Sequence, residues 1–63
     1  MIDLGEIKAC MARNGHKQKD IATILGLSTN SVNSKINGSR EFTVAELAML
    51  AKTYDVDINL FIK

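Results

Sequence analysis

Apolar positions along the chain recur in short runs at helical spacing, separated by glycine-containing polar turns. After Asp3, the residues Leu4, Ile7 and Cys10 or Met11 mark one stripe, which predicts a first helix running to about Arg13. Asp3 and Glu6 have the spacing of a capping box, with Asp3 as N-cap and Glu6 reaching back. Asn14-Gly15 closes that helix in a turn. A second helix opens at Lys17-Gln18 and places Ile21, Ala22, Ile24 and Leu25 on one face. Gly26 stops it, because glycine enters the left-handed conformation of a helix end without a Cβ penalty. Leu27 follows as an apolar plug, and Ser28 is a natural N-cap for a third helix.

The third helix breaks the pattern. Val32 and Ile36 are its large aliphatics, one turn apart, whereas Thr29, Asn30, Ser31, Asn33, Ser34, Lys35 and Asn37 are small or polar. Such a helix gains little from core packing, so its outer face calls for a different explanation. Asn37-Gly38-Ser39-Arg40 then turns the chain, and Phe42 begins the next element, packing over the end of the third helix. Thr43-Val44-Ala45-Glu46 is a capping box, followed by Val44, Leu47, Ala48, Leu50, Ala51 and Tyr54 at helical spacing. Met49 falls off this stripe, which predicts partial exposure. Asp57 can cap a final turn holding Ile58, Leu60, Phe61 and Ile62, more apolar residues than so short a helix can place on one face. All four are candidates for a self-association surface that would support a weak homodimer, with some of them needed to close the core.

The stretch from Lys17 to Gly38 resembles the helix-turn-helix of the phage lambda-type repressor and Cro family. The residues that carry the likeness are Gln18 opening the first of the two helices, the small Ala22, the turn Gly26 and the buried Val32. Ala22 sits where two steeply crossing helices bring their backbones together. The likeness extends over roughly residues 3 to 62. This sequence departs from the family at Lys35, where an apolar residue is common, and Ile36 takes over as the anchor. The resemblance implies an all-α bundle of four to five short helices, a single domain over residues 1–63, with helices two and three forming the motif. It also implies a phage or prophage-type repressor that occupies a double-stranded DNA operator. Thr29, Asn30, Asn33 and Ser34 would lie nearest base edges in the major groove. Lys17, Gln18, Ser28, Lys35, Asn37, Ser39 and Arg40 would hold phosphates and set the register.

Charge supports this picture only when it is divided along the chain. The overall net charge is +1. Residues 1–12 carry Lys8 against Asp3 and Glu6, a net −1. Residues 13–40 carry Arg13, Lys17, Lys19, Lys35 and Arg40 against Asp20, a net +4. Residues 41–63 carry Lys52 and Lys63 against Glu41, Glu46, Asp55 and Asp57, a net −2. Phosphate neutralisation needs this local asymmetry rather than a high total charge.

Composition narrows the remaining classes. Sixty-three residues suit a single small domain, and proline and tryptophan are absent. No stretch approaches the roughly 20 apolar residues of a membrane span. Asp3 and Glu6 stand where a secretory signal would be basic, and Cys10 is the single cysteine, which together suit a reducing cytoplasm. Cys10 lies on the first apolar stripe and reads as a small buried hydrophobe. His16 lacks metal-ligand partners one turn away, because positions 19 and 20 are Lys and Asp, and it reads as a solvent-facing loop residue. With one histidine, one cysteine and no clustered carboxylates, no catalytic constellation is expected, nor any metal, cofactor or small-molecule ligand. An RNA reader would want exposed aromatics for stacking, which this chain lacks. The rival reading is a protein-interaction module on the same fold, of antitoxin or anti-repressor type. An apolar or acidic third helix would favour it, and this one is polar and neutral to basic.

Overall fold

The computed structural model describes residues 1–63 as an all-helical chain: α1 (Leu4–Arg13), α2 (Gln18–Leu25), α3 (Thr29–Ile36), α4 (Val44–Tyr54) and a C-terminal 3₁₀ turn (Ile58–Phe61). There are no strands; an isolated antiparallel bridge between Ile2 and Ile62 ties the two ends together. The ends are held by Asp3 N–H donating to the Phe61 carbonyl and Lys63 N–H donating to that of Met1, both at 2.7 Å.

Side-chain caps fix where α1, α3 and α4 start. Asp3, Ser28 and Thr43 each accept a hydrogen bond from the backbone N–H three residues on, at 3.1 Å. In α4 the reciprocal half is present too, since Glu46 accepts from Thr43 N–H at 2.9 Å. In α1 it is not. Glu6 turns along the helix instead and takes the Arg13 guanidinium at 3.2 Å. The Asp3 N–H it would have capped is already donated to the Phe61 carbonyl, which leaves the Glu6 carboxylate free for the guanidinium. Gly26 ends α2 at φ 69°, ψ 33°, and the Gly26 and Leu27 N–H groups both return to the Ala22 carbonyl.

Twelve apolar residues drawn from all of these elements and from Phe42 form one core, with Ile7, Ile21, Val32, Leu50 and Phe61 wholly enclosed. α3 packs most extensively against α2, while the 3₁₀ turn lies against both α1 and α4. Cys10 is buried as the stripe suggested. α4 presents Leu47, Leu50 and Ala51 inward and leaves Met49 partly exposed. Val44 and Ala48 are the exceptions to its predicted stripe. Val44 is the first helical residue, and side chains lean toward the helix N-terminus, so it overhangs solvent at 76% exposure.

The last turn divides its apolar residues by its own period. At three residues per turn Ile58 and Phe61 share a face. Phe61 is fully buried and Ile58 half-buried, whereas Leu60 and Ile62 stay exposed at 42% and 46%. The expectation of Phe61 at a dimer interface is therefore corrected: its ring fills the core between α1 and α4. His16 is also corrected. Far from pointing into solvent, it is half-buried, its Nδ1 2.8 Å from the Tyr54 hydroxyl, joining the α1–α2 turn to the end of α4.

Two substitutions test this architecture. No atom lies within 4 Å of a Cβ built on Gly26, so the cost there is purely conformational. Gly26→Val should lower stability by at least about 1 kcal/mol, a fall in Tm of about 4–8 °C for a domain of this size. Phe61→Ser should unfold the protein at room temperature, because loss of a buried aromatic costs about 3–5 kcal/mol. Circular dichroism melts check both, and an unchanged melt in either variant would refute the assignment.

Candidate nucleic-acid interface

The helix-turn-helix shows its polar side outward for a simple reason. Val32, Lys35 and Ile36 face the core, at i, i+3 and i+4, so the opposite side of α3 must face water. Thr29, Asn30 and Asn33 are exposed there, and Ser34 is half-buried at the edge. Four sequence-predicted base readers are thus placed on α3, three of them fully outward.

Two contacts frame this face. Gln18 Nε2 at the start of α2 donates to Asn33 Oδ1 at 3.2 Å, setting the opening turn of α2 beside the middle of α3. That brings the exposed Lys17 and Lys19 to one flank. On the other flank, Arg40 N–H donates to the Ser34 carbonyl at 3.1 Å and folds the α3–α4 loop back along the helix. Within that loop Asn37 Oδ1 accepts from Ser39 N–H at 3.1 Å, an Asx turn that spends the Asn37 carbonyl on local structure. Ser28 Oγ is likewise engaged, accepting from Ser31 N–H and donating to Ser31 Oγ at 3.0 Å. Gln18, Ser28, Asn37, Ser39 and Arg40 therefore ring the exposed face of α3, several of them shaping it through hydrogen bonds of their own.

Lys35 does not belong to that ring. Expected as a phosphate holder, it is buried, with its side chain 7% exposed. Its Nζ donates to Glu46 Oε1 at 2.5 Å and lies 6.0 Å from the centroid of the Phe42 ring. A buried ammonium already paired with a carboxylate cannot also reach a phosphate on the outer face. The cause is geometric: position 35 lies on the inner stripe with Val32 and Ile36, and the long stem of a lysine can carry its charge across that stripe to α4. Hence the surface charge of the motif is lower than the sequence count. Ion pairs occupy Arg13 and Lys35, which leaves Lys17, Lys19 and Arg40 as its cations without an ion-pair partner. Lys19, counted from sequence only as charge, joins Lys17 on its flank.

Sequence reading missed both the Gln18–Asn33 and the Lys35–Glu46 contacts. A signal for the second was present, since Lys35 completes the i, i+3, i+4 set with Val32 and Ile36. Its partner was hidden in the capping box, where Glu46 was already assigned a role. Glu46 Oε1 in fact serves both, accepting from Lys35 Nζ and from Thr43 N–H. Burial alone would push this carboxyl up, but the Lys35 ammonium and the Thr43 N–H and hydroxyl outweigh it and hold the group below its ordinary value. No group of three or more His, Cys, Asp or Glu side chains is arranged to hold a metal, and no helix is long and apolar enough to cross a membrane.

The family model described as the BetR domain matches residues 5–62. No curated protein and no solved structure matches the chain.

The ion pair gives two expectations. Lys35→Ala leaves Glu46 charged and largely enclosed, and should cost on the order of 3 kcal/mol. A carboxyl with a lowered folded pKa contributes stability above its unfolded value, near 4.5, and loses it as the pH falls through the lowered value. Urea denaturation from neutral pH down to about pH 3 should show wild-type stability declining below that point. The decline should be shallower in Glu46→Gln. Equal slopes in the two proteins would show that this carboxyl is not linked to folding.

Proposed function

The chain belongs to the BetR domain family, and on that premise we propose that it is a sequence-specific double-stranded DNA-binding regulator, of the repressor type, that acts by occupying an operator. The family is associated with DNA-binding helical regulators. The observation that carries the proposal is the exposed polar face of α3, framed by the unpaired cations Lys17, Lys19 and Arg40. A purely structural helix would fill its solvent side with better helix formers than Thr29, Asn30 and Asn33, such as Lys, Glu or Gln. A helix that enters a major groove uses them, because base edges there present donors and acceptors that amides and hydroxyls match.

Roles divide by position. Asn30, whose amide has no intramolecular hydrogen-bond partner, is free to pair with both groups of an adenine edge. The Thr29 methyl can meet a thymine methyl. Asn33, held by Gln18, reads from a fixed orientation, and Ser34 reaches the groove only at its margin. Lys17, Lys19 and Arg40 neutralise phosphates, while Gln18, Ser28, Asn37 and Ser39 order the backbone that follows the strand. No chemical step is part of this function.

Self-association through the C-terminal turn belongs to the same proposal, now carried by Leu60 and Ile62 with the half-buried Ile58. Their exposed apolar area supports a weak dimer formed mainly on DNA. Two third helices would then lie about one helical turn apart, roughly 34 Å, on a two-fold-symmetric site.

Selection of bound duplexes from a random pool tests the function, with an enriched motif as the expected result. Asn30→Ala or Asn33→Ala should relax the preference at individual base pairs, at about 1–3 kcal/mol where the contact is bidentate. Lys17→Ala or Arg40→Ala should weaken binding to all sequences and lower the salt slope by about one each. If both sets of variants reduced binding to selected and random DNA alike, α3 would not be the reading element. For the dimer, sedimentation of the complex should give two protomers per site. One protomer at saturation, unchanged by Leu60→Ser, would rule it out.

A further inference from the structure

We infer that Lys35 and Glu46 are positioning residues for DNA recognition: their ion pair sets the roll of α3 about its axis and so decides which side chains meet base edges. This rests on the DNA-binding reading above. Val32 and Ile36 are the aliphatic anchors of α3, and they lie one turn apart on a line almost parallel to the helix axis. Apolar contact along such a line is non-directional and resists rotation of the helix only weakly. Lys35 lies off that line, and its bond to Glu46 Oε1 is directional.

The receiving atom is itself fixed. Glu46 Oε1 also accepts from Thr43 N–H at 2.9 Å, within a capping box that locks the first turn of α4. Phe42 covers the ammonium from the side, with Nζ 6.0 Å from its ring centroid. α3 is therefore pinned to the start of α4 through a bond that spans the base of the loop carrying Asn37, Ser39 and Arg40. A change in roll would move Asn30 and Asn33 together across the groove and shift that loop with them.

A buried lysine here is unlike a phosphate lysine in one measurable respect. Its charge is already matched, so removing it should leave the salt dependence of binding unchanged while altering which sequence is preferred. The double variant K35M/E46Q keeps the length of the Glu46 side chain and the acceptor for Thr43 N–H, shortens Lys35 by only its terminal nitrogen, and leaves no unpaired charge. Replacement of a buried ion pair by well-packed apolar groups of similar volume is often neutral for stability, and the amide introduced at position 46, where the side chain is 14% exposed, keeps some access to water. The variant is therefore expected to fold.

The experiment compares wild type, K35M/E46Q and K35R by thermal melt, duplex selection and salt titration. The expected result is a melting temperature within a few degrees of wild type and an unchanged salt slope for K35M/E46Q. Its discrimination between the selected site and single-base variants should fall roughly tenfold, within what one bidentate base contact is worth. K35R, which keeps the pair, should retain most of the discrimination. A folded K35M/E46Q with the wild-type motif and discrimination would overturn the inference and leave the DNA reading standing. A salt slope lowered by about one would overturn it too, by showing Lys35 on the phosphates. If K35M/E46Q does not fold, K35M/E46L, which replaces the pair by apolar groups, takes its place and is read by the same two outcomes. Should wild type select no duplex at all, the DNA reading itself fails, and this inference with it.

Discussion

A chain this short has apolar surface for one core, and every element must contribute to it. α3 meets this constraint by lending Val32 and Ile36 to the core and little else. The rest of the helix is thereby released from packing. α2 bears α3 through the buried Ala22 and the glycine turn, whose Gly26 and Leu27 N–H groups return to the Ala22 carbonyl, and α4 together with Phe61 encloses the rest of the core. The outer side of α3 faces water and so has to be polar, but the fold does not dictate that amides and hydroxyls rather than charged side chains stand there.

The weak apolar hold on α3 has an electrostatic complement. Lys35 occupies a site where an apolar side chain would simply add burial, and its charge has to be matched inside. Glu46 does so while capping α4, so a single carboxylate oxygen ties the end of α3, the loop after it and the start of α4. Pairs of this kind rarely add net stability over a well-packed apolar substitute, but they are directional where apolar contacts are not. In a domain with few core residues, direction is what two aliphatics cannot supply. The same pairing removes a charge from the outer face of α3, leaving Lys17, Lys19 and Arg40 as the exposed cations of the motif without an ion-pair partner.

Local signals foretold local structure well. Asp3, Ser28 and Thr43 were legible as caps because a short hydroxyl or carboxylate before an apolar stripe has a specific use there. Gly26 was legible because a left-handed helix end admits few other residues. The outward side of α3 followed from where its aliphatics sat. Failures came where two residues distant in sequence competed for one role. Glu6 was read as reaching back to its own N-cap, yet Arg13, two turns along, offered a charged partner. His16 was placed in solvent because nothing in the adjacent sequence pointed to Tyr54. Lys35 was counted with the phosphate holders because its charge was visible and its partner was not.

What the sequence determined, then, is the set of helices, their caps and turns, and the polarity of the one helix that the core uses least. These depend on interactions within a few residues, which spacing alone exposes. Tertiary structure decided which charges remain at the surface, which of the last apolar residues fill the core, and how α3 is fixed against α4. Phe61 went inward and Leu60 and Ile62 outward because a 3₁₀ turn packed between α1 and α4 can bury only one side of itself. Lys35 found Glu46 because the fold brings the inner stripe of α3 to the first turn of α4. Both outcomes depend on distances between elements, and those exist only once the core has closed.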